Sequence, residues 1–171
     1  TNMKRMFAKL TNLKELDISN FNTSKVTTMV EMFMEDTSLT KLNLGNMNTS
    51  SLTDMGDMFR TCNKLTSIDV SSFDTTEVTN MKGVFNGMNN LESVDVSNFV
   101  TSNVTNMQGM FSGLNKVKTI DVSNFDTSKV TNMAWMFDKM NELTTIYVSD
   151  KFVTTKVTKG NQMFEFDTKL K

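Results

Sequence analysis

The sequence contains no proline and no histidine, and only one cysteine, one tryptophan and one tyrosine in 171 residues. Each scarcity excludes something. Without histidine the chain lacks the commonest general base and the commonest metal ligand. A lone cysteine, Cys62, permits no intrachain disulfide, so the fold is not a disulfide-stapled scaffold. No apolar run approaches membrane-spanning length, and the segment is expected not to insert in a membrane. Neither sign of charge dominates: 18 Lys and Arg face 19 Asp and Glu, for a net charge of −1. The basic residues are scattered and mostly Lys, so binding of nucleic acid is not expected. No cofactor motif is present. The segment opens at Thr1 without a signal peptide and is read as a piece of a longer protein.

What the chain does have is methionine, 16 residues of it, and a period. Val26, Leu52, Val78, Val104 and Val130 follow one another at steps of 26 residues, and Lys151, inserted before Val157, makes the next step 27. Phe7, Phe33, Phe59, Phe85, Phe111, Phe137 and Phe164 form a second column, and Leu13, Leu39, Leu65, Leu91, Val117, Leu143 and Leu170 a third. Self-similarity at such a period is the signature of stacked repeats. The expectation is one domain over residues 1–171, made of about six 26-residue repeats.

Each repeat divides into two halves. In V-T-x-M-x-x-M-F-x-x-M the apolar residues Val130, Met133, Met136, Phe137 and Met140 fall at steps of three, three, one and three. That spacing predicts a helix with one apolar face, capped by Thr127 or Ser128. Methionine then fills the core between units. In the second half Val94 and Val96 alternate with Asp95 and Ser97, which predicts a half-buried strand. The expected fold class is an α/β repeat solenoid, a right-handed leucine-rich-repeat-like coil with one short parallel strand and one helix per 26-residue turn.

The segment LKELDISNF, Leu13 to Phe21, resembles the leucine-rich-repeat signature L-x-x-L-x-L-x-x-N, with Asn20 one place early. The longer unit LTSIDVSSFDTTEVTNMKGVF resembles the BspA-like leucine-rich-repeat surface proteins, in the variant found in mycoplasmas, lactobacilli and listeriae. The resemblance implies extracellular display on a bacterial cell surface and binding of a host or neighbouring-cell surface or matrix protein. It supplies no catalytic residues.

Positions that break a column are better functional candidates than positions that keep it. On the polar side of the strands Asp17, Asn43, Asp69, Asp95 and Asp121 form a ladder. Two readings stand: carboxylates accepting hydrogen bonds in the next repeat, or a site for a cation or a basic ligand. Tyr147 breaks this column and is either a ligand contact or a shield over the end of the stack. Trp135 sits opposite the apolar stripe, where other units have Glu31, Asp57, Gly83 and Gly109. It is expected to be largely exposed, as a contact site or packed on the irregular last turn. Cys62 is expected to be buried, and Asp36, in the same column, to reach solvent at a helix end. The Thr columns, Thr23 to Thr154 and Thr27 to Thr131, are read as helix starts and not as an ice-binding face.

These features predict a non-catalytic adhesion or protein-interaction module. The alternatives are a passive spacer that displays other domains or, less favoured, a cation-binding repeat. Uncapped end units would also allow end-to-end self-association.

Overall fold

The structure, a computed structural model, describes residues 1–170. Among these residues there is no helix, and the regular elements are four strands. Strand β1 (Glu15–Asp17) pairs in parallel with β2 (Lys41–Asn43), and β3 (Thr119–Asp121) with β4 (Thr145–Tyr147). The α/β solenoid with a helix in every turn is therefore wrong, and with it the leucine-rich-repeat coil.

A chain of β-turns occupies the place given to the helix. In the first unit the N–H groups of Met3, Arg5, Phe7 and Lys9 donate to the carbonyls of Thr28, Val30, Met32 and Met34 in the next unit. Between them, the N–H of Met6 donates to Met3 and that of Ala8 to Arg5, closing turns. Alternate N–H groups thus stack units, and the others turn the chain. A helix would need each N–H to reach back four residues. It also cannot pass through residues at positive φ, such as Arg5 at 57° and Lys9 at 65°. The same two places are left-handed in later units, among them Asp57, Thr61, Gly83, Gly87, Gly109 and Gly113. Parallel bridges link this edge without a break, from Asn2 through Thr28, Asp54, Asn80, Asn106 and Asn132 to Lys159.

The inward face matches the periodicity even though the element does not. Val130, Met133, Met136, Phe137 and Met140 are each at most 1% exposed. The Phe column is a stacked spine: neighbouring rings from Phe7 to Phe164 lie 5.5–6.1 Å apart with interplanar angles of 2–12°. Such pairs are worth about 0.5–1.5 kcal/mol each beyond burial.

The first Thr column does not cap helices either. Thr49, Thr75, Thr101 and Thr127 are buried, and each hydroxyl is a two-way clamp on one residue of the next unit. Thr75 Oγ1 donates to Val100 O at 2.9 Å and accepts the Val100 N–H at 2.8 Å. Thr49, Thr101 and Thr127 do the same with Asp74, Asp126 and Val153. Buried polar atoms need partners, and the next unit supplies them.

The opposite edge carries the strands, and only part of it is regular. A strand in every repeat was expected, yet the units holding Asp69 and Asp95 have none. In β1 and β2 the outward pair Glu15 and Lys41 is ionic, at 3.7 Å. In β3 and β4 it is Thr119 and Thr145, both β-branched. The middle units have Ser67 and Ser93 there, which offer neither charge nor branching.

Candidate functional site

The strand edge holds most of the candidate residues. Asp17, Asp69, Asp95 and Asp121 are exposed, but each carboxylate is already engaged within its own unit. Its Oδ1 accepts the N–H of the serine two residues on, at 2.9–3.0 Å. These are local turns; the bond into the next repeat that the sequence suggested is made only at Asp17. The serine holds each carboxyl below the usual carboxylate range, by its hydroxyl first and N–H second at Asp17, Asp69 and Asp121, and by its N–H first at Asp95. Asn43 relieves the ladder by donating from Nδ2 to Asp17 Oδ2 at 3.0 Å. Asp95 still acts on Asp121, raising it against the effect of Ser123. Tyr147 stands opposite Asp121 in β4 and is 55% exposed. Among the described residues no three Asp, Glu, Cys or His side chains are grouped to hold a metal ion.

Trp135 lies on the other edge, in a cleft of about 500 Å³. The floor is backbone: Gly83, Gly87, Gly109 and Gly113 occupy the left-handed positions of two successive units and project no side chain. The units on either side put side chains at the same positions, Asp57 and Thr61 before the floor, Trp135 and Lys139 after it. Two bare units between two furnished ones make the cleft. Glycine is favoured at Gly83, where φ is 59° and a Cβ would overlap Asp57 Oδ1 unless that side chain moved.

Both walls carry a buried carboxylate with a lysine. Asp57, 8% exposed, has Lys82 Nζ 3.3 Å from its Oδ2. Asp138, 3% exposed, has Lys139 Nζ at 3.3 Å and accepts the Ser112 hydroxyl at 3.4 Å, both on Oδ2. Its Oδ1 has no partner. Trp135 was expected to be largely exposed; it is only partly so. Its Nε1 donates to Gln162 Oε1 at 2.7 Å, which ties the indole to the last turn. Amides of Asn86, Asn89 and Gln108 line the space between the walls.

Comparison with known proteins adds a family. The family model described as "Mycoplasma protein of unknown function, DUF285" matches residues 1–68 and again 58–171. The chain belongs to this family. No curated protein and no solved structure matches the chain. The family's own description assigns no activity, so the chemistry must come from the residues.

The sequence singled out Trp135 but not its neighbours. Asp57, Gly83 and Gly109 were legible only as members of its column, and Asp138, Lys82, Gln108 and Lys139 were missed. The signal available was the glycine pair four residues apart, Gly83 and Gly87, repeated as Gly109 and Gly113. Cys62 is buried as expected, and its thiol is pushed up to about 12, by burial first and by Asp36 second. Asp36 does not reach solvent. It is fully buried, with Oδ1 accepting the Leu10 N–H at 2.7 Å and Oδ2 unpartnered. Burial pushes its carboxyl up to about 6. Asp167 repeats the arrangement one unit past Met140, accepting the Met140 N–H at 2.8 Å, and is also pushed up to about 6 by burial.

Proposed function

We propose that this chain is a non-catalytic interaction module of a bacterial cell-surface protein, kin to the BspA-like surface proteins, that binds a surface or matrix protein of a host or neighbouring cell. One observation carries the reading. Backbone bonds, the Phe spine and the Thr clamps stack the units from inside, so the two outward columns of the turn edge are free to vary: side chains join units at the ends, as in Arg5–Glu31 and Trp135–Gln162, and are absent at the glycine units. Those columns change from unit to unit, and where they change most they form the cleft between Asp57 and Trp135. The family match and the repeat motif support the same reading. Catalysis has less to work with, because each carboxylate of the cleft is tied to a lysine and no histidine is present to share proton transfer.

The test is adhesion of the purified chain to host cells and to matrix-coated surfaces. Saturable binding that weakens in Trp135→Ala or Tyr147→Ala supports the module, and the variant that weakens it names the edge in use. A spacer is the second reading, favoured by the unbroken bridge ladder from Asn2 to Lys159. A spacer predicts no binding to any surface.

A further inference from the structure

Four glycines, two lysine-paired carboxylates and a tethered indole meet in one cleft. We propose that this cleft binds a neutral saccharide, a mono- or short oligosaccharide displayed by the partner. The proposal rests on the interaction-module reading and narrows it to a ligand class.

The floor excludes recognition of a peptide main chain. An added strand needs free backbone N–H groups. Those of Gly83, Gly87, Gly109 and Gly113 already donate to Gln108, Ser112, Ala134 and Asp138 in the next unit, at 2.8–2.9 Å. Recognition therefore falls to side chains. The groups present are the Asp57 carboxylate, which accepts, and amides with capacity left over: Gln108, whose Oε1 already accepts from Asn132 but whose Nε2 can donate, and Asn86, whose Nδ2 donates to Gly109 O and whose Oδ1 can accept. Sugar hydroxyls, which also donate and accept, match that set. Asp138 contributes less: it is 3% exposed and its unpartnered Oδ1 is closed to solvent, so this carboxylate shapes the wall of the cleft.

Charge argues for neutrality. Asp57 has Lys82 at 3.3 Å and Arg60 at 4.0 Å, and Asp138 has Lys139 at 3.3 Å, so every charged side chain lining the cleft is already paired and an ion of either sign would have to displace an existing partner. The indole argues for a sugar over other neutral polar molecules. With Nε1 spent on Gln162, Trp135 offers ring surface and no donor. The C–H face of a pyranose, weakly positive, suits the negative face of an aromatic ring. The size fits as well. Three unit spacings separate Asp57 from Trp135, about 14 Å at the usual distance between paired strands. The volume of about 500 Å³ lies within the range of small-molecule sites.

Trp135 is the only tryptophan, so its emission reports from the cleft without a label. The chain is titrated with galactose, mannose, N-acetylglucosamine, lactose and diacetylchitobiose. Sialic acid, a heparin disaccharide and an acidic peptide are the charged probes. At least one neutral sugar is expected to change the emission saturably. Gly109→Asn, which tolerates positive φ but fills the floor, is expected to weaken that sugar about tenfold or more. Gln108→Ala, a milder change whose fold is checked by circular dichroism, should weaken it about fivefold. The proposal is overturned if no neutral sugar gives a saturable change, if only charged probes do, or if both folded variants bind as the parent does. Adhesion to cells with silent sugar titrations would sink the saccharide and leave the module standing; loss of both would sink the module as well.

Discussion

On the strand edge the outward position reads Asp17, Asn43, Asp69, Asp95, Asp121 and then Tyr147; on the turn edge it reads Arg5, Glu31, Asp57, Gly83, Gly109, Trp135 and Gln162. The first column is nearly constant because each Asp or Asn in it completes a local turn with the residue two places on, and only Tyr147 does not. The second varies because its alternate backbone N–H groups stack the units whatever the side chain, and pairs such as Arg5–Glu31 and Trp135–Gln162 only add to them. Variation is tolerated where the main chain carries the load. That makes the turn edge the place where a repeat can acquire a site without losing its neighbours.

The largest test of this contrast is a methyl group. Gly83→Ala adds a Cβ at φ 59°, over Asp57 Oδ1, and so opposes both the backbone and the Asp57–Lys82 pair. It should cost about 3 kcal/mol in urea unfolding. Ser97→Ala on the strand edge should cost far less, since water can replace an exposed hydroxyl. Equal effects would erase the distinction between the edges.

Acidity separates the buried carboxyls from those of the strand edge in sign. The Asp36 and Asp167 carboxyls hold their protons to about pH 6, whereas unfolded Asp releases its proton near 3.8. Between those values the folded state binds more protons, so this contribution is fully present below about pH 4 and lost as pH rises to about 6. The strand-edge carboxyls are lowered and act oppositely: their stabilisation is present above the usual carboxylate range and lost as pH falls through their lowered values. Asp36→Asn keeps an acceptor for the Leu10 N–H without the charge. It should flatten the stability curve between pH 4 and 6.5 and add about 2 kcal/mol at pH 7. An unchanged curve would mean that the Asp36 carboxyl does not hold its proton up to about pH 6.

The same contrast explains what could be read from sequence. The period, the Phe spine and the inward positions follow from spacing alone, because burial repeats with the unit. The helix did not survive, because apolar steps of three, three, one and three suit overlapping β-turns as well as a helix. The sign of φ decides between them. Gly83 and Gly87 advertise it, since glycine inside a helix costs about 1 kcal/mol relative to alanine. Arg5, Glu31 and Trp135 adopt the same conformation and advertise nothing. In the cleft, Trp135 was visible as a break in a column. The buried pairing of Asp57 and Asp138 was not, because depth depends on the bare units beside them.

Thr61 offers a gentler probe of the turn edge. It is β-branched and held at φ 62°, while Gly87 and Gly113 take the same place in the next two units. Thr61→Gly should remove that strain and raise stability by about 1 kcal/mol, or roughly 2–4 °C in melting temperature for a chain of this size. It should also lengthen the cleft floor by one unit. A fall in stability would show that the Thr61 side chain contributes more than its backbone costs.

The smallest effect belongs to the strand edge. Asp95→Ala removes the acceptor of the Ser97 N–H, which is exposed and turns to water. It also removes the charge that raises Asp121. The two changes oppose each other, and the melting temperature should move by about 1 °C or less. The informative readout is Asp121 itself, whose carboxyl titration by NMR should shift further down once Asp95 is gone. If Asp121 does not move, neighbouring rungs of the ladder are electrically independent. The near-constancy of the column would then rest on its local turns alone.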